Sequence, residues 1–137
     1  MNYLEALQQR YSVKKFDPNK IIPKEHVENI LQAGKLSASS LGLQPYRVIV
    51  VESSEAKSKL VPAFYNPSQI STCSHLLVIV SKKGIDEQYI NGYFRQINEI
   101  RKTPLQQLES FRKSIHTHIE NNSSAEIMNW NEKQGYI

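Results

Sequence analysis

Arg10-Tyr11-Ser12-Val13-Lys14-Lys15-Phe16 follows a short amphipathic stretch and runs into Asp17-Pro18. From Arg10 to Lys14 it offers a guanidinium, a hydroxyl and an ammonium, with aromatic rings at Tyr11 and Phe16. In an extended segment, residues two apart share a face. Arg10, Ser12 and Lys14 would then point one way, and Val13 and Lys15 the other. Two fixed positive charges beside a hydroxyl suit a phosphate or another dianion. A solvated basic strand after a helix has the same spacing, so spacing alone leaves both readings open.

Upstream, Asn2 followed by Glu5 is a capping-box pattern. With Leu4, Leu7 and Tyr11 at helical spacing, it predicts a short helix over about 3–10. Downstream, Asp17-Pro18-Asn19-Lys20 reads as a turn. Pro23 suits the first position of a second helix with Val27, Ile30, Leu31 and Gly34 as its inward stripe. Residues 36–45, Leu-Ser-Ala-Ser-Ser-Leu-Gly-Leu-Gln-Pro, read as a loop or a short broken helix. The hydroxyls of Ser39 and Ser40 could bond a planar ligand there or simply serve the turn.

Tyr46–Glu52 and Leu76–Val80 are apolar runs that predict two strands buried on both faces. Between them, a helix is expected over about 55–65, weakened in its second half by Pro62. Asn66-Pro67-Ser68-Gln69 then supplies an N-cap, an N1 proline and an N3 glutamine for a helix to about Cys73. The Asn66 amide could equally face outward. Ile90, Tyr93, Phe94, Ile97 and Ile100 mark a long helix to about Lys102. Thr103-Pro104 opens another, with Leu108, Phe111, Ile115 and Ile119 inward. Ser123 with Glu126 opens a last one through Ile127, Trp130, Gln134 and Ile137. Two strands do not make a stable sheet core, and the helical pattern runs to Ile137 without a stop signal. Both features predict that another subunit, or a further C-terminal half, supplies partners.

A chain of 137 residues with 39% hydrophobic and 22% charged residues fits one soluble globular domain, 1–137. The net charge of +4 comes from scattered basic pairs, which argues against nucleic acid as partner. His26–Gly34 followed by Ser37–Gly42 faintly resembles a helix-turn-helix, but it lacks apolar anchors and has no base-reading arginine before Arg47. The single cysteine, Cys73, precludes an internal disulfide, and a reducing, cytoplasmic setting is expected. No run nears the roughly 20 apolar residues of a membrane span, so no membrane partner is expected. The five glycines, at 34, 42, 84, 92 and 135, form no phosphate loop. A bound phosphate would therefore have to be held by side chains and helix ends. His116 and His118 diverge by roughly 200° on a helix, and Cys73 and His75 have no evident third ligand. No metal set and no catalytic triad is visible.

The order of these motifs is more specific than any one of them. Arg10–Phe16, then Ser39-Ser40-x3-Gln44-Pro45-Tyr46 entering a strand, then Asn66-Pro67-x-Gln69 and Ser74-His75 entering a second strand, resemble the FMN-dependent nitroreductase family. Trp130-x2-Lys133-Gln134-Gly135-Tyr136-Ile137 is similar to that family's helix after its variable region. The resemblance runs the length of the chain and covers about the first two thirds of a typical member. It implies an α+β fold with helices around a central mixed sheet, of which this chain would carry the N-terminal helices and two strands. It also implies an intertwined homodimer with FMN between subunits. The implied activity is two-electron, ping-pong reduction of nitroaromatics or quinones by NADPH or NADH.

Residue by residue, Arg10, Ser12 and Lys14 match the family's N-terminal FMN set. Arg10 would take the phosphate, and Lys14 would face the ribityl chain or ring edge and stabilise negative charge there. Tyr11 stands where the family often has histidine. Ser39 and Ser40 match an element usually assigned to the partner subunit's flavin, with Ala38 in place of its usual proline. Asn66 and Gln69 match polar residues near the flavin or nicotinamide. The other expectation on the same scaffold is a non-catalytic remnant, or a module that binds FMN or a nucleotide weakly.

Overall fold

The computed structural model describes residues 2–136. The chain separates into two compact units, Met1–Ile30 with Val50–Val78 and Leu31–Ile49 with Ile79–Ile137. Among the described residues the architecture is α+β, with seven α-helices and one two-stranded sheet.

The first unit opens with α1, Tyr3–Gln9. Its capping box forms as the sequence predicts: Asn2 Oδ1 accepts the Glu5 N–H at 2.9 Å, and the Glu5 carboxylate accepts the Asn2 N–H at 3.1 Å. Arg10 leaves the helix in an extended conformation. Helix α2, Lys24–Leu36, starts directly after Pro23, whose carbonyl accepts the His26 and Val27 N–H groups. Its predicted inward stripe is only partly realised, since Val27 is buried but Ile30 is half exposed. Apolar spacing shows which face could be buried; it does not supply the neighbour that buries it.

Helix α3, Ser54–Leu60, is capped by the Ser53 hydroxyl and tightens into a 3₁₀ turn, Val61–Ala63, at the proline. Helix α4, Pro67–Thr72, packs against α3. The buried Lys57 ammonium from α3 donates to the Cys73 carbonyl at 2.5 Å and the Ser74 carbonyl at 3.3 Å. It thereby satisfies backbone acceptors at the C-terminal end of α4, where the helix dipole favours a cation.

Strands β1, Tyr46–Val51, and β2, Leu76–Ser81, pair as an antiparallel ladder. The expectation of burial on both faces is not met: Ile49 is 50% and Ile79 51% exposed. The apolar runs correctly signal strand, but burial of both faces needs covering layers that a two-stranded ladder does not provide.

The second unit is dominated by α5, Glu87–Arg101, α6, Glu109–Glu120, and α7, Ser124–Lys133. Its core is Leu43, Ile90, Phe94 and Ile115, with Tyr93, Phe111 and Trp130 packed against it. The Tyr93, Phe94 and Phe111 rings meet edge to face, with centroids 5.3 to 6.3 Å apart, the arrangement that aromatic quadrupoles favour. Helix α6 does not start at Thr103-Pro104 as the sequence suggests. Pro104 is extended, and a 3₁₀ turn, Leu105–Leu108, comes first. The Ser123–Glu126 capping box does form. After α7 the chain continues as a 3₁₀ turn, Gln134–Tyr136. Ile137, to which the helical pattern was read, lies outside the described residues.

Candidate functional site

In the first unit, Arg10, Tyr11, Ser12 and Lys14 are all exposed. Among the described residues, no carboxylate lies within 4.0 Å of Arg10, Lys14 or Lys15, and the Ser12 hydroxyl makes no hydrogen bond. The segment is not a strand; it bends at Lys14-Lys15. No ladder therefore enforces the two-residue alternation on which a shared face would rest. What orders the backbone instead is α4. The Gln69 amide nitrogen donates to the Val13 carbonyl. The Phe16 N–H donates to Thr72 Oγ1 at 2.9 Å, while the Thr72 hydroxyl donates to the Ser68 carbonyl at 2.5 Å.

These bonds correct one expectation. Asn66 and Gln69 do not form a capping box. Asn66 occupies the N-cap of α4 without a side-chain cap bond, and Gln69 reaches to Val13 instead. A glutamine at N3 can serve either its own helix end or a neighbouring carbonyl, and here the neighbouring segment takes it. The Asn66 amide is thus left to other partners. Arg10 and Lys14 are thus exposed cations on a backbone that α4 orders, the residue types that bind phosphate where they converge.

In the second unit, Ser39 and Ser40 lead a strained loop. Leu41, Gly42 and Gln44 all have positive φ, at 56°, 66° and 45°. The first and third are non-glycine residues in a region that costs L side chains energy, so surrounding bonds must enforce it. Those bonds are present. The Gln44 amide nitrogen donates to the Lys35 and Ser37 carbonyls, at 3.0 and 3.1 Å. The Gln44 N–H donates to Ser39 Oγ at 3.3 Å. The Tyr89 hydroxyl lies 2.7 Å from the Leu43 carbonyl and 2.9 Å from that of Gln44, and Tyr93 donates to Leu41 at 3.1 Å. The Ser40 N–H donates to Gln134 Oε1 at 2.8 Å.

Burial raises both phenols above the ordinary tyrosine value; the positive charge of Arg47 opposes this at Tyr89, and that of Arg101 at Tyr93. Tyr89 and Tyr93 also line a cavity of about 440 Å³ with Lys82, whose ammonium sits 4.6 Å from the Tyr89 ring centre. His116 lies 3.5 Å from Glu87, whereas the His118 ring sits tilted against Trp130, with centroids 4.9 Å apart. No cluster of three metal-ligating side chains occurs among the described residues.

The residue reading missed Thr72, Tyr89, Tyr93 and Gln134. Three of them sit in helical stripes, where an aromatic or polar residue reads as ordinary face composition. Gln134 carried a signal, since it belongs to the closing Trp130–Tyr136 motif, but spacing does not name its distant partner.

Residues 7–98 match the model of the nitroreductase family. A Bacillus subtilis protein provisionally named an NAD(P)H nitroreductase is 34% identical over 143 residues, covering 98% of this chain and 64% of its own. A Staphylococcus haemolyticus protein of the same provisional name is 30% identical, with 98% and 63% covered. Among solved structures, a Staphylococcus epidermidis protein provisionally described as an NAD(P)H:FMN oxidoreductase superimposes with a TM-score of 0.82 at 26% identity, over 97% of this chain and 62% of that one. An Exiguobacterium sibiricum protein provisionally described as a nitroreductase and solved with FMN gives 0.81 at 24% identity, over 98% and 64%, a likeness of fold. The chain thus spans just under two thirds of the length of these relatives. With its motifs in family order and two thirds of its residues matched by the family model, the chain belongs to the nitroreductase family.

Proposed function

We propose that this chain is the N-terminal part of a single nitroreductase domain, one that binds FMN and reduces small nitroaromatics or quinones with NADPH or NADH. The observation that carries the reading is the basic segment at Arg10–Lys14: among the described residues, two exposed cations without carboxylate partners and an unbonded hydroxyl. The names of the relatives, several of them NAD(P)H nitroreductases and one solved with FMN, support the same ligand.

In this reading Arg10 takes the phosphate through paired, charge-assisted hydrogen bonds, and the Ser12 hydroxyl adds a third donor. Lys14 places a positive charge toward the ring edge, where negative charge develops during reduction. The Tyr11 backbone borders the same ligand. Asn66 offers an uncommitted amide, and Gln69 acts by ordering Val13. Ser39 and Ser40 serve the flavin of a partner subunit, which makes the working unit a homodimer. When bound, FMN would supply the two-electron hydride chemistry between nicotinamide and acceptor, in a ping-pong cycle. No helix among the described residues is long and apolar enough to cross a membrane, and with Cys73 a free thiol the reading places the protein in the cytoplasm.

Anaerobic titration tests it. The protein loaded with FMN should bleach at the flavin band on adding NADPH or NADH and recover on adding a quinone or nitroaromatic. A chain that takes up FMN but shows neither step is the non-catalytic module instead.

A further inference from the structure

We propose that Thr72 and Gln69 are positioning residues that set Lys14 in place through the backbone on either side of it; the inference rests on the FMN reading above. The two side chains are three residues apart on α4 and therefore neighbours on one helix face. Gln69 takes the Val13 carbonyl and Thr72 takes the Phe16 N–H, at 2.9 Å for the latter. Their two attachment points bracket the bend at Lys14-Lys15. A bend with no ladder to fix it has many backbone states, and fixing each residue costs conformational entropy. The bracket removes that freedom before the ligand arrives, so less ordering is left to binding.

The Thr72 hydroxyl is suited to this. Its proton is committed to the Ser68 carbonyl at 2.5 Å, which leaves its lone pairs to accept from Phe16. Serine retains that geometry, whereas valine keeps the shape and removes the acceptor. Losing one such bond is expected to weaken FMN binding by about tenfold.

The test is a double-mutant cycle on FMN affinity, read by flavin fluorescence, with thermal stability measured alongside. Thr72→Val should weaken binding about tenfold, and Thr72→Ser should stay within about twofold of the parent. On a Lys14→Ala background, Thr72→Val should add less than about twofold, because the side chain it positions is gone. A Thr72→Val variant that binds like the parent overturns the inference, as does one whose loss adds fully to that of Lys14→Ala. A parent that binds no FMN defeats the functional reading instead. Amide exchange then decides the bracket by itself: Phe16 should be protected in the parent and in Thr72→Ser and unprotected in Thr72→Val. An unprotected Phe16 in the parent overturns it.

Discussion

Gln134, just past the end of α7, accepts the Ser40 backbone N–H at 2.8 Å, across 94 positions of sequence. Its amide nitrogen is anchored to the Trp130 carbonyl at 3.3 Å, and its side chain is buried. The end of the last helix therefore fixes the turn that presents Ser39 and Ser40. Gln134→Leu removes the acceptor and strands a partly buried N–H, a loss of about 1–3 kcal/mol. Chemical denaturation should show that loss; a change below about 0.5 kcal/mol, the range of ordinary surface substitutions, would mean that the contact carries nothing.

Gly42 has a φ of +66°, and a Cβ built there would sit 2.6 Å from the Tyr93 hydroxyl. Tyr93 cannot swing aside freely, because that hydroxyl is bonded to the Leu41 carbonyl. Gly42→Ala should therefore destabilise by about 1–3 kcal/mol, combining the left-handed backbone with the clash. In a Tyr93→Phe background the same substitution should cost less, because the clashing oxygen is absent. Equal costs in the two backgrounds would show that backbone strain alone is responsible.

Stability should respond to pH at both ends of the range. Tyr89 and Tyr93 have phenols raised by burial. Their contribution is complete below the unfolded tyrosine value of about 10 and is lost as pH rises through the folded values. Urea midpoints should fall on that alkaline limb, and the doubly substituted Tyr89→Phe, Tyr93→Phe protein should show a shallower fall. Glu126 behaves in the opposite sense. Hydrogen bonds from the Ser123 side chain and backbone lower its carboxyl, so its contribution is present above the unfolded value and is lost as pH falls through the folded one. Ser123→Ala should flatten the acid limb without touching the alkaline one.

The parts of the fold legible in the sequence were those written in local rules. The two capping boxes at Asn2–Glu5 and Ser123–Glu126 formed because each needs only residues three apart. The strands and the long α5 followed from apolar runs and spacing. The candidate residues, from Arg10 to Gln69, stand in the sequence as a set of types in family order. Their connections were not legible, because the bonds that organise them reach far along the chain. Gln69 looked like a cap and proved to be a tie to Val13, and Gln134 looked like one more position on a helix. The strands stay half exposed because apolar content reports what a strand can bury, whereas the layer above it decides what it does bury.

In the proposed function, side chains near the amino end, Arg10 foremost, grip the phosphate of a flavin. The most direct measurement is an FMN titration, followed by flavin fluorescence, of the parent chain, Arg10→Ala and Lys15→Ala, with riboflavin as the phosphate-free control. Arg10→Ala should weaken FMN binding by at least about tenfold, as loss of a charge-assisted bond does. Lys15→Ala should stay within about twofold of the parent, and riboflavin binding should be indifferent to both. Equal losses of FMN affinity in the two variants, or a parent chain that holds riboflavin as tightly as FMN, would rule out a phosphate grip by Arg10.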